Sequence, residues 1–303
     1  MIILAVESSC DETAVALVRD GRTVLADCIA SSVEMHRIYG GVVPEIASRK
    51  HIEVIAQLAD QALEQAGLSR GDIDAVAVTY APGLIGAVLV GVSFAKSVAY
   101  ALGVPLIPVH HVRGHIAANY LAHPDLEPPF VCLCVSGGTS LLVDVKGYTE
   151  MEILGATRDD AAGECFDKIA RVMGLGYPGG APLDRAAQGG NDKAFSLPRV
   201  HIQDAPLDMS FSGLKTAMLN LIHNAQQKGE ELPVADLAAS FSAAVSEELV
   251  PRTMAAAQAK GYGKVAVVGG VAANSRIRRD LEQACQAAGC TLYLPPLKLC
   301  GDN

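Results

Sequence analysis

Val265-Ala-Val-Val-Gly-Gly-Val-Ala-Ala-Asn274 is the stretch that decides how this chain folds. Lys264 to Val268 is a run of β-branched and small apolar residues, the composition of a buried strand. Gly269-Gly270 ends it where the backbone must turn sharply or admit a close neighbour. Asn274-Ser-Arg-Ile-Arg-Arg-Asp-Leu281 then opens a helix, with Asn274 or Ser275 as its N-cap. A strand, two glycines and a helix leave bare backbone N–H groups at the strand's carboxyl end. Open α/β folds hold nucleotides there. Taken alone, the pattern also fits an ordinary βα turn with packing glycines, so the other stretches carry the decision.

Ile2 to Val6 and Thr13 to Val18 read as strands joined by the polar turn Glu7-Ser-Ser-Cys-Asp-Glu12. Asp20-Gly21 turns into a third strand, Thr23 to Ala30. The design recurs half a chain later as Phe130 to Val135, Ser136-Gly-Gly-Thr-Ser140 and Leu141 to Val145. Two such hairpins read as a duplicated α/β lobe with two facing phosphate-type loops and an interlobe cleft. That describes the superfamily of actin, the sugar kinases and the heat-shock chaperone ATPases. Phe130 follows the polar, proline-containing stretch His123 to Pro129. It divides a first lobe, 1–129, with the first hairpin and the histidines below, from a second, 130–303, with the nucleotide loops.

The length of 303 residues fits about two domains. Half the residues are hydrophobic and 19% are charged, which argues for a packed core and against disorder. A net charge of -9 means that a nucleic-acid substrate needs a local basic patch or a basic partner. The start shows no signal peptide, and no transmembrane span is read anywhere. The eight cysteines are scattered, with no paired Cys-x-x-Cys units, so reduced cytoplasmic thiols are expected. Cys132 and Cys134 alternate in a strand and should share one face. Helices are expected from Glu45, with Pro44 just before its first turn, to about Gln65 with a stop at Gly67, from Gly86 to Leu102 with an end at Gly103, and over about 215–228 and 234–260. Gly91, Ser93 and Ala95 in the second of these allow close approach by another helix, from this chain or a partner. The chain stops at Cys300-Gly-Asp-Asn303 with no terminal helix, and a C-terminal helix is expected to be missing.

His110-His-Val-Arg-Gly-His115 carries the strongest chemical signal. On a helix, His111 and His115 share one face and can share one ion; the bland alternative is a pair of solvated or capping histidines. Val112 stands where a zinc protease carries its catalytic Glu, which counts against a metalloprotease. Two imidazoles need a carboxylate from elsewhere, and Asp302 is the candidate.

Six motifs in order carry a resemblance across the whole chain: Glu7-Ser-Ser-Cys-Asp-Glu-Thr13, Tyr39-Gly-Gly-Val-Val-Pro-Glu-Ile-Ala-Ser-Arg49, His111-x-x-x-His115, Val135-Ser-Gly-Gly138, Phe211-Ser-Gly-Leu-Lys-Thr216 and Gly269-Gly-Val-Ala-Ala-Asn274. Together they resemble the TsaD family, the tRNA N6-adenosine threonylcarbamoyltransferases, once described as O-sialoglycoprotein endopeptidases. The resemblance implies a donor, threonylcarbamoyl-adenylate, whose acyl group goes to N6 of the adenosine 3′ of the anticodon in tRNAs reading A-starting codons. AMP is released. It implies one divalent metal ion, iron or zinc, on His111, His115 and Asp302. It implies that Cys134, Val135, Ser136, Gly137 and Gly138 wrap the donor, and that Asp167, Gly180 and Asp184 contact the nucleoside. Asn274, beside Gly270, would face the adenine, and Asp11 and Glu12 would be acidic residues acting as base or as positioning groups. It also implies partners, the paralogue TsaB and the ATPase TsaE, with no membrane involved; the Gly86 to Leu102 helix is the candidate dimer face. Two departures stand out. Thr139 replaces the family's usual His and resembles a superfamily phosphate loop, which keeps an ATPase or small-molecule kinase as the alternative. Gly301 replaces a hydroxyl residue before the metal Asp. Arg276, Arg278 and Arg279 form a basic run that reads either as a phosphate contact or as a solvated helix face.

Overall fold

Residues 1–200 and 202–301 are described by a computed structural model, which divides into two compact units, Met1–Ala117 and Ala118–Gly301. In the first, β1 (Ile2–Glu7), β2 (Glu12–Arg19) and β3 (Thr23–Ser31) form an antiparallel meander. Asp20 and Gly21 turn the first hairpin onward at φ 52° and 70°, backbone that Asp and Gly tolerate. Then come α1 (Val33–Arg37), α2 (Pro44–Ala66), β4 (Ala75–Ala81), α3 (Ile85–Leu102) and β5 (Leu106–His110). The sheet order is β3-β2-β1-β4-β5, with β4 parallel to β1 and β5 parallel to β4. Leu4, Val6, Val15, Leu17, Val76 and Val78 of the strands pack with Ile55, Leu58 and Leu63 of α2 and Ala95 and Ala99 of α3. Pro44 opens α2 at its first turn, and Gly67 at φ 63° closes it, as expected.

The small residues of α3 do two jobs. The close approach to another helix, expected at Gly91, Ser93 and Ala95, falls instead at Gly86, which meets Ser48 of α2. At Gly91 the close neighbour is Ser8 of the β1–β2 turn, whose hydroxyl donates to the Ala87 carbonyl at 2.9 Å. Among the described residues α3 alone is long and apolar enough to cross a membrane by length and composition, although Ala87, Gly91, Ala95 and Ala99 are buried within the fold.

Helix α4 (His111–Ala122) starts in the first unit and ends in the second. There Asn119 donates to the Val267 carbonyl at 3.2 Å, and His123 to that of Leu294 at 2.9 Å. The second unit continues with β6 (Phe130–Val135), β7 (Ser140–Val145), β8 (Met151–Ala156), α5 (Ala162–Val172), α6 (Gly180–Ala186), α7 (Ser212–Lys228) and α8 (Val234–Lys260). It closes with β9 (Lys264–Val268), α9 (Ser275–Ala288) and β10 (Thr291–Tyr293). Its sheet order is β10-β9-β6-β7-β8, the same meander followed by two parallel strands as in the first unit. The expected duplication is therefore present strand for strand. The strand β8, unread in the sequence, takes the place of β3; its Glu152 and Gly155 hide the pattern, and Glu152 pairs with Lys146 at 2.7 Å. Phe166 meets Phe241 edge to face at 5.2 Å in a core that also holds Leu133, Val267, Phe211 and Leu249. Cys132 and Cys134 do share a face, with sulfurs 3.8 Å apart.

The β1–β2 turn is held by buried histidines. His51 Nε2–H donates to the Cys10 carbonyl at 2.9 Å, so its Nδ1 accepts the Thr13 hydroxyl at 2.7 Å. Val43 N–H donates to His36 Nδ1 at 3.2 Å, so His36 Nε2–H points at Ser32 Oγ, 3.0 Å away. Burial pushes the His51 pKa down, and only partly do the Cys10 carbonyl and nearby carboxylates push it back. The native state then refuses a proton that the unfolded chain binds below its ordinary pKa of 6.5. Stability is present above that pH and lost as pH falls below it. Urea unfolding between pH 7 and pH 5 should show a falling free energy in the wild type and a shallower fall in His51→Gln. His110, also depressed, contributes to both proteins and cancels; equal slopes would contradict the assignment.

Candidate functional site

Two groups of chemistry-bearing residues form, one in each unit. In the first, β5 ends directly on α4, so His111 and His115 stand on the first turns of one helix, ring centroids 4.6 Å apart and 78° between planes. Between them Val112 is buried and Arg113 exposed, so the position of a zinc protease's Glu is spent on the core. The carboxylate that reaches this pair is Glu7, the last residue of β1. Its Oε2 lies 3.3 Å from His111 Nδ1, and Ser9 Oγ lies 3.2 Å from the same nitrogen. Burial pushes the Glu7 carboxyl up, but hydrogen bonds from His111, Ser9 and Thr79 outweigh it and hold the group below the usual Glu range. Asp11 and Glu12, the expected acids, sit at the turn and at the head of β2. Asp11 is fixed through its carbonyl, which accepts from Ser32 N at 2.9 Å and Ser32 Oγ at 2.6 Å. Asp302 lies outside the described residues, and among the described ones no three His, Cys, Asp or Glu side chains gather as a metal cluster. Two facing imidazoles with one ring nitrogen held by a carboxylate still suit a borderline divalent ion that draws a further ligand from beyond them.

In the second unit, five elements meet around the pivot. Gly269 leaves β9 at φ 92° and ψ 166°, backbone reserved for glycine, and a Cβ there would overlap the Val135 carbonyl. The β6–β7 turn closes through Ser136 N–H to the Thr139 carbonyl at 2.8 Å. The Ser136 carbonyl accepts Gly163 N–H at 3.1 Å, and Gly163 has no room for a Cβ against Ser136 and Gly137. Asp167 of α5 accepts Gly179 N–H at 2.7 Å, which positions the start of α6. Asp184 of α6 accepts the Ser275 N–H at 3.0 Å and its hydroxyl at 2.8 Å. Asn274 is the N-cap, its Oδ1 accepting Ile277 N–H at 3.1 Å.

This closed circuit separates residues used by the fold from those left open. Cys134, Val135 and Ser136 are buried in strand and turn. Gly137, Gly138 and Gly270 are exposed and Gly180 is half-buried, and none of the four has a neighbour within 4 Å of where a Cβ would stand. The Asn274 side chain is 6% exposed and its Nδ2 meets no acceptor among the described residues. A buried donor with no acceptor among the described residues, close in sequence to the exposed Gly270, is a group that a ligand can match.

A model of the family described as "tRNA N6-adenosine threonylcarbamoyltransferase" matches residues 23–303. Curated proteins of that name are similar throughout. The one from Moorella thermoacetica is 56% identical over 99% of this chain and 88% of its own length. The one from Clostridioides difficile strain 630 is 50% identical over 100% and 90%. The chain belongs to the TsaD family. Among solved structures, T. kodakarensis HypF matches with TM-score 0.67 at 17% identity over 100% of this chain and 46% of that one. A ROK hexokinase from Thermus thermophilus matches at 0.51 and 15% over 97% and 91%, which supports the actin and sugar-kinase fold alone.

Within the TsaD chain, several motif residues prove structural. Arg278 donates to the Ala272 carbonyl at 2.7 Å, and Arg276 is held by Asp280 at 2.6 Å and by Asp192 at 2.5 Å; neither is a solvated phosphate finger. The Phe211-Ser-Gly-Leu-Lys-Thr216 motif is clamped by Asp159, which accepts Phe211 N–H at 2.8 Å and Ser212 Oγ at 2.7 Å, while Lys215 pairs with Asp160. Glu7 and Ser9 are the site residues that sequence reading left unassigned, although an acid ending the apolar run Ile2 to Val6 was a usable signal. The two pivot glycines should separate by experiment. Gly269→Ala should lose about 2–4 kcal/mol of unfolding free energy from backbone strain and overlap, whereas Gly270→Ala should keep the wild-type melting temperature within about 2 °C. Equal effects would contradict the packing described.

Proposed function

We propose that this TsaD-family chain takes its acyl group from threonylcarbamoyl-adenylate and delivers it to N6 of the adenosine 3′ of the anticodon in tRNAs reading A-starting codons. The carrying observation is that Gly137, Gly138, Gly180 and Gly270 and the unmatched Asn274 Nδ2 are left free by the hydrogen-bonded frame that Asp167 and Asp184 hold together. Backbone amides of the glycines take the adenylate phosphate, the carboxylates suit ribose hydroxyls, and Asn274 Nδ2 donates to the adenine. The N6 amine attacks the carbamoyl carbonyl, a C–N bond forms, the C–O bond to phosphate breaks and AMP leaves. Asp11 and Glu12 supply the carboxylates that receive or position the amine proton. His111 and His115, with Asp302, would hold one divalent ion, iron or zinc. Bound there, such an ion would supply Lewis acidity and positive charge for acyl transfer.

The net charge of -9 makes a basic or RNA-orienting partner useful, and a paralogue subunit of the TsaB type with a TsaE-type ATPase fits that need. The docking face we assign is the outer side of α3, where Ile85 is 89% exposed, Leu89 63% and Tyr100 91%. The twofold-repeated fold also hosts kinases, but the glycine circuit in a chain so close to named transferases favours acyl transfer.

The decisive assay follows radiolabelled threonylcarbamoyl onto an anticodon stem-loop with the partner subunits present. His111→Ala should lower the rate by at least about 100-fold; retained transfer in metal-free buffer would refute the metal role. Leu89→Asp should abolish co-elution with the paralogue subunit at unchanged melting temperature, because a carboxylate is then buried unpaired in the interface. Wild-type association would move the docking face elsewhere.

A further inference from the structure

We propose that Glu7 is the positioning carboxylate of the histidine centre: it holds the Nδ1–H of His111 so that the ring presents Nε2 to the ion. The inference rests on the metal reading above and adds a residue to it. A carboxylate oxygen only accepts, so the ring nitrogen 3.3 Å from Glu7 Oε2 must carry the proton. Ser9 Oγ, 3.2 Å from that nitrogen, is then a second acceptor for the same N–H. A neutral imidazole protonated at Nδ1 has its lone pair on Nε2, the form a divalent ion binds.

Glu7 is itself well anchored. It ends a strand paired on both edges, by β2 and by β4, so its backbone is fixed by the sheet. Its Oε1 accepts the Ser9 backbone N–H, and Thr79 contributes a further hydrogen bond. Ser9 is 3% exposed and Thr79 7%. Ser9 is pinned in turn by Leu84 N–H, which donates to its carbonyl at 2.8 Å, and by Gly83, where a Cβ would stand 2.7 Å from that carbonyl. Both carboxylate oxygens are therefore engaged by the protein, the pattern of a group that orients a ligand rather than one that is a ligand. Outer carboxylates of this kind set tautomer and ring angle, and their loss weakens metal affinity by about 10–100-fold.

The test is a chelator-competition titration of cobalt(II) into the wild type, Glu7→Ala and Glu7→Gln, with melting temperatures and cobalt absorption spectra recorded alongside. Glu7→Ala should weaken cobalt binding by about 10–100-fold. Glu7→Gln, which keeps a carbonyl acceptor for Nδ1–H, should lose less, yet more than about threefold. Both should show the wild-type spectrum at saturating cobalt, since the coordinating atoms are unchanged. If Glu7→Ala fails to fold, the near-isosteric Gln variant decides alone. Wild-type affinity in a folded variant would mean that Glu7 only braces the turn, and a changed saturated spectrum would make it a direct ligand; either overturns the inference. If the wild type binds no cobalt, or His111→Ala binds it equally well, the metal reading fails and this inference falls with it.

Discussion

The second unit depends on one contact, the backbone of Gly269 against the carbonyl of Val135. Strands β9 and β6 run parallel and in register, Val268 beside Cys134, so the chain must leave β9 directly over the end of β6. Only a residue without Cβ, at φ 92°, makes that exit. The short 3-10 turn Gly270–Ala273 follows, and Asn274 falls where it caps α9. Asp184 caps the same helix from outside through Ser275, so α6 and α9 are fixed to each other. Open amides and cap share a frame because one glycine lets the strand end so close to its neighbour.

The two units repeat a topology but finish their hairpins with different chemistry. In the first, the turn carbonyls of Cys10 and Asp11 are taken by His51 and Ser32, so polar groups face inward and are spent. The largely buried carboxylate and imidazoles of Glu7, His111 and His115 lie beside it. In the second, the turn satisfies itself through Ser136 and Thr139 and leaves Gly137 and Gly138 bare. One copy of the fold thus supplies side chains with charge and the other supplies backbone donors.

Much of this was legible beforehand, for identifiable reasons. Period and β-branching mark β1, β2, β6 and β9, and glycines at 67 and 103 mark helix ends where φ is positive. The Asn274 cap follows from local hydrogen bonding, and the His111–His115 pair from helical spacing. Tertiary choices were hidden. Strand β8 carries a charge and a glycine because it lies at a sheet edge. Glu7 meets His111 across 104 positions, which no local pattern encodes. Arg278 looked like a surface cation, yet its guanidinium holds the Ala272 carbonyl at the root of α9. Asp184, expected at a ribose, is engaged as an outside cap of α9, a tertiary contact across 91 positions that no local pattern encodes.

The buried Nδ2 of Asn274 meets no acceptor among the described residues, and in the function proposed above it is the donor to the adenine. Asn274→Asp keeps the cap acceptor and the shape but replaces that donor with an oxygen. Calorimetry with a non-hydrolysable threonylcarbamoyl-adenylate analogue should show an unchanged melting temperature and a Kd raised by about 10–100-fold, the cost of an unmatched buried group. Unchanged affinity in the folded variant would contradict the account.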